Sequence, residues 1–183
     1  IYGYEHVTAV VPEPVPLPEY NARHYYSEQI RHCLTAQGFS EVITSSFQKK
    51  DVLQLKNALA SDKSYLRSNL TANIEAALDH NMPHADVLGV PDIRIFEIGT
   101  VFEKRDDGIA EHVSVALGVR VRPSGYSGKE DAILSEALTA LEGTLGVQLN
   151  AHVQKGIAEF DLAALLQQLP APTAYDEVVV GKE

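Results

Sequence analysis

The chain has 183 residues, 45% of them apolar, which is enough to bury a core and too much for a disordered segment. Its 15 Lys and Arg stand against 25 Asp and Glu, a net charge of −10. That argues against a protein gripping nucleic acid by its own phosphate contacts, and against a basic membrane-surface helix.

Cys33 is the single cysteine and has no intrachain partner, so a reducing compartment, the cytoplasm, is expected. No run reaches the ~20 apolar residues of a membrane span. The chain starts at Ile1 and reads as a segment of something longer. Residues 1–7 (IYGYEHV) look like the stump of a preceding domain. Residues 8–20 carry Pro12, Pro14, Pro16 and Pro18 at every second position, a stiff extended linker.

Residues 21–183 read as one core domain, its C-terminal end truncated. Tyr26, Ile30, Cys33 and Leu34 share a helical face, and Gly38 is placed to end that helix. Residues 41–47 are rich in β-branched side chains and predict a strand. Residues 49–59 predict a short helix and a turn. Leu70, Ile74, Ala77 and Leu78 mark a second helix ending near Pro83. Residues 93–102 (IRIFEIGTVF) predict a strand apolar on both faces and therefore central in its sheet. Residues 112–121 alternate cleanly and predict its hairpin partner. A Gly-Ser loop (123–128), a third helix (133–145) and strands at 147–153 and 157–160 follow, then a short helix at 162–169 and a strand-like run at 178–180. The order predicts an α+β domain, a mixed, mostly antiparallel sheet flanked by helices.

The chemical motifs are weak. His80 and His84 lie four apart, a spacing two zinc ligands can use, but Asn81 stands where the metalloprotease pattern needs Glu. The segment Gly125 to Lys129 lacks both the leading Gly and the Ser or Thr of a phosphate loop. His32 and Cys33 point about 100° apart on a helix and form no thiolate pair. Asp106 and Asp107 are turn residues. Glu97 is the one acidic residue inside the most apolar strand, which also carries Arg94. It reads either as a buried acid or as a core carboxylate paired with an arginine, for which Arg67 is the candidate.

Several segments together resemble the bacterial phenylalanyl-tRNA synthetase beta subunit family. IYGYEHV resembles the last strand of the small domain before its synthetase-like core. QIRHCLTAQGFSEVITSSF resembles that core's opening helix and strand at Gly38, Phe39, Glu41, Val42, Ser46 and Phe47. LKNALASDKSYLRSNL matches at Asn57, Leu66, Arg67 and Leu70, with Ala58 where the family usually has Pro. IRIFEIGTVF matches at Phe96, Glu97, Ile98 and Gly99, and AEFDLAALL resembles a closing strand-helix piece.

The resemblance implies a class II aminoacyl-tRNA synthetase-like core without catalytic residues. Glu97 would stand in place of the phosphate-contacting Arg, where a carboxylate repels phosphate. It implies a catalytic alpha subunit as partner in an (αβ)2 assembly, with ATP and magnesium belonging to the whole enzyme and tRNA contacted only through it. Residues 21–47 would face that subunit, with Phe39, Val42, Ile43 and Phe47 as contact candidates. Both readings of these four, contact and core, stand open. The alternative is a free-standing synthetase-like domain binding an amino acid or adenylate.

Overall fold

Asn21 sets the start of the first helix. In the computed structural model, which describes residues 3–8, 10, 11, 13, 20–58, 60–122 and 129–174, its side-chain oxygen accepts a hydrogen bond from His24 N at 3.1 Å. That satisfies one of the donors a helix leaves unpaired at its start. The helix, α1 (Ala22–Ala36), buries Tyr26, Ile30 and Leu34 along one face. Half-buried Cys33 packs beside them and accepts from Thr144 Oγ1 at 3.4 Å. Gly38 ends the helix as expected. Its φ is +81°, its N–H donates to Thr35 O, and Phe39 N donates to Leu34 O. This paired closure needs a left-handed residue, which glycine supplies without a Cβ clash.

The strand expected over 41–47 is broken. Only Ser40–Glu41 (β1) and Phe47–Gln48 (β2) are extended ladders. Between them Thr44 donates from both N and Oγ1 to the Glu97 carboxylate, and Phe47 N donates to Ser45 Oγ. Local side-chain hydrogen bonds have displaced the ladder. The helix expected within 49–59 is absent as well. Asp51 accepts from Ser68 N and holds this segment extended, and Leu53–Gln54 forms β3. With Tyr65–Leu66 (β4) in the middle, the order β2-β4-β3 makes a small antiparallel sheet. Leu59 lies outside the described residues.

The main sheet has the order β1-β5-β6-β8-β7. Strands β5 (Asp92–Arg105) and β6 (Gly108–Val121) form one long antiparallel hairpin across the two-residue turn at Asp106 and Asp107. β8 (Ile157–Asp161) and β7 (His152–Gln154) continue it antiparallel. The short β1 is parallel to β5. The strand expected at 147–153 is therefore confined to its last part.

Period-two alternation divides the core in two. Phe96, Val113, Val115, Leu117, Val119 and Phe160 face α1, α4 (Lys129–Leu145) and α5 (Leu162–Leu166). Ile93, Ile95, Val101, Ala116 and Ile157 face α2 (Thr71–Asn81), which contributes Ile74 and Leu78. Gly118 makes this second contact close. A Cβ there would sit 2.6 Å from Ile74 Cγ2 and 2.8 Å from Leu78 Cδ1, so only a bare backbone admits the helix.

After α2, Met82–His84 form a 3₁₀ turn around Pro83 and Ala85–Leu88 form α3. The His80 and His84 rings meet edge to face, centroids 6.0 Å apart. The last helix stops at Leu166, short of the expected 169. Tyr4–His6 form a 3₁₀ turn where a strand remnant was expected. The four linker prolines, the 123–128 loop and the 178–180 run lie outside the described residues.

Candidate functional site

Glu97 sits in the middle of β5, on the face that α2 covers. Its Oε1 lies 2.8 Å from Arg67 Nη1, and the two side chains are 2% and 3% exposed. The partner nominated from sequence is thus in place. Arg67 also donates from Nε to Thr100 O and from Nη1 to Thr44 Oγ1. The other Glu97 oxygen accepts from Thr44 Oγ1 at 2.6 Å. Removing two charges from water is costly unless each is paired and its remaining valences are filled. This network does both. It also explains Gly99, where a Cβ would strike the Arg67 guanidinium and lie 2.9 Å from Glu97 Oε1. Phe96, its neighbour in the motif, is fully buried on the opposite face.

The same network holds the edge of the domain. Thr44 Oγ1 accepts from Asn73 Nδ2 at 2.7 Å, Ser45 O accepts from the same amide, and Gln48 Nε2 donates to Asn73 Oδ1 at 2.6 Å. Out of this pinned stretch project Ile43, 94% exposed, and Phe47, 46% exposed. The other two contact candidates point inward. Phe39, 2% exposed, follows the Gly38 reversal into the core beside α1, which is the core arrangement left open for it. Val42 is half-buried against the α2 side and donates from its N–H to Phe96 O. Arg31 on α1 donates to both Glu41 oxygens and to Glu28. The Glu41 hydrogen bond, above all, raises the guanidinium's pKa beyond its usual range. Asn57 is exposed on a turn.

Where β5 and β6 approach their turn, two adjoining clefts of about 640 and 320 Å³ share His112 and Ala163. The larger carries Glu103, Lys104, Arg105 and Asp161. Its charges are largely committed. Glu103 pairs with Arg105 at 3.0 Å, and Asp161 Oδ1 caps α5 through Ala163 N and Ala164 N. The smaller places Arg23 with Glu111. His112 Nδ1 is buried without a hydrogen-bond partner among the described residues. Neither cleft concentrates the positive charge that a triphosphate needs. Glu97 lines neither cleft. The β5 carboxylate that does is Glu103.

Glu159 on β8, half-buried, makes a second polar junction. Its carboxylate accepts from Leu70 N, Thr71 N, Thr71 Oγ1 and Ser114 Oγ, and so caps α2 from across the sheet. Sequence reasoning missed Glu159, Thr44, Asn73 and His112. Glu159 carried the signal that exposed Glu97, a carboxylate among the apolar residues of a strand. The others carried none.

The family model described as the phenylalanyl tRNA synthetase beta chain CLM domain matches residues 8–146. The chain belongs to this family. Beta-chain relatives include the phenylalanine–tRNA ligase beta subunit of Syntrophus aciditrophicus, 31% identical over 127 residues, covering 59% of this chain and 15% of that subunit. The chloroplastic subunit of Porphyra purpurea is 30% identical over 118 residues, 64% of this chain and 16% of its own. The chain therefore spans about a sixth of the beta subunits it matches. Among solved structures, the pyrrolysyl-tRNA synthetase of Desulfitobacterium hafniense superposes with a TM-score of 0.57 at 18% identity, over 84% of this chain and 75% of that one. The beta-chain domain thus has the class II synthetase fold that the resemblance implied.

Proposed function

We propose that this domain is a catalytically silent synthetase-like core of a phenylalanyl-tRNA synthetase beta subunit, and that it docks the alpha subunit through the edge at 40–48. One observation carries the reading. A large aliphatic side chain, Ile43, stands 94% exposed on an edge held by side-chain hydrogen bonds, beside half-exposed Phe47. Isolated exposed apolar groups are common, but a rigidly presented pair fits an interface anchor. The mixed charges of the clefts near His112 support silence, since nothing there gathers phosphate. Charging of tRNA, with its ATP and magnesium, belongs to the assembled enzyme in the cytoplasm.

Ile43→Asp and Phe47→Asp are each expected to weaken association with the alpha subunit about 100-fold, because a desolvated charge replaces an anchor. The full beta subunit carrying each substitution, co-expressed with alpha and sized by chromatography with light scattering, reads this directly. An intact (αβ)2 peak in both variants overturns the docking surface. Isothermal titration with phenylalanine, ATP and an adenylate analogue tests the small-ligand alternative. No heat is expected, and micromolar binding would favour that alternative.

A further inference from the structure

We propose that Thr44, held by Glu97 and Asn73, is a positioning residue that fixes the 42–48 edge in the shape that receives the alpha subunit. The proposal rests on the docking reading above. Backbone bonds hold only the two ends of this stretch, Val42 N–H to Phe96 O and Arg67 N–H to Ser46 O, and residues 42–46 form no strand ladder, so side chains set the path between. Five hydrogen bonds meet at Thr44, one of them from Arg67 Nη1 to its carbonyl at 3.5 Å. Its N–H and Oγ1 donate to the two Glu97 oxygens, and Oγ1 accepts from Arg67 Nη1 and Asn73 Nδ2. Asn73 then fastens the next residues, accepting from Gln48 Nε2 and donating to Ser45 O.

The pins therefore fall at 44, 45 and 48, between and beside the outward side chains at 43 and 47. Ile43 has almost no packing of its own, so its direction is that of the backbone one bond from the Thr44 pin. An ion pair 2–3% exposed is a poor stabiliser compared with a packed apolar pair. Its better-attested use is to select one arrangement among several. Here the arrangement selected is that of the edge. If loss of the hydroxyl leaves the edge correctly shaped about a tenth of the time, apparent affinity falls about tenfold with no contact residue changed.

The test is Thr44→Val in the full beta subunit, titrated with the alpha subunit. Alpha binding about tenfold weaker is expected, with Thr44→Ser restoring it. Leu141→Val, a core change in α4, lowers the melting temperature without touching the edge and is expected to leave affinity unchanged. Asn73→Ala removes the pins at 45 and 48 while leaving the ion pair intact, and decides the matter if Thr44→Val does not fold. If Ile43→Asp abolishes binding while both pin variants bind like wild type, the positioning role is overturned and the docking surface stands. If Ile43→Asp binds like wild type, the docking surface is overturned and the positioning role with it.

Discussion

Replacing Arg67 with methionine is expected to cost about 3–5 kcal/mol of folding stability. The substitution leaves the Glu97 carboxylate buried with only Thr44 as donor, and it also unpairs Thr100 O. Domains of this size hold about 5–15 kcal/mol in total, so the variant would retain a small margin at best. The double variant Arg67→Met with Glu97→Leu should recover much of the loss, because neither charge then has to leave water. Urea unfolding of both variants checks this. A single-variant loss below about 1 kcal/mol would mean that water reaches the pair and that it behaves as a surface salt bridge. The double variant also separates stability from recognition. It regains stability without regaining the Thr44 anchor, so alpha binding should stay weak while the melting temperature recovers.

Glu159→Ala is expected to cost about 3 kcal/mol. A helix cap alone is worth about 0.5–2 kcal/mol. Here the carboxylate also satisfies the Thr71 hydroxyl and the buried Ser114 hydroxyl, and hydrogen bonds to a charged group are worth about 1.5–3 kcal/mol each. Asp161→Ala is the comparison, since it removes an exposed cap from the five-residue α5 and should cost about 1 kcal/mol. Equal losses from the two, measured by denaturant unfolding, would show that Glu159 acts only as an ordinary cap.

The long elements were legible because their periodicity extends over many residues. Ile30 and Leu34, Ile74 and Leu78, and Val113 through Val119 each repeat a burial pattern several times, and all are buried. The edge was not legible. Residues 41–47 have strand composition, yet two hydroxyl side chains and a carboxylate 53 residues away redirect the backbone, and composition has no term for that. Residues 49–59 failed for the same reason, through Asp51 and Ser68. The Glu97–Arg67 pairing was legible because a carboxylate flanked by apolar residues in a central strand needs a partner, and the same reasoning applied to Glu159 would have pointed to donors for it. What stayed open, contact or core for Phe39 and Val42, turned on the left-handed reversal at Gly38. That reversal decides which way the next side chain falls.

The long hairpin bears on the order in which the domain assembles. β5 and β6 meet across two residues, so their pairing closes locally and can zip on the microsecond scale of isolated hairpins. β1 is different. Its two residues pair with β5 across roughly 55 positions of chain, and the entropy of closing that loop is recovered from very few bonds. The docking edge is therefore expected to arrive last during folding and to open first afterwards. Amides at 40–48 should exchange with solvent through local openings of lower free energy than those at 113–119. A partner that binds only the closed edge would then act late, as the step that completes the beta chain. Copies in which β1 has opened would expose the edge of β5 that it covers.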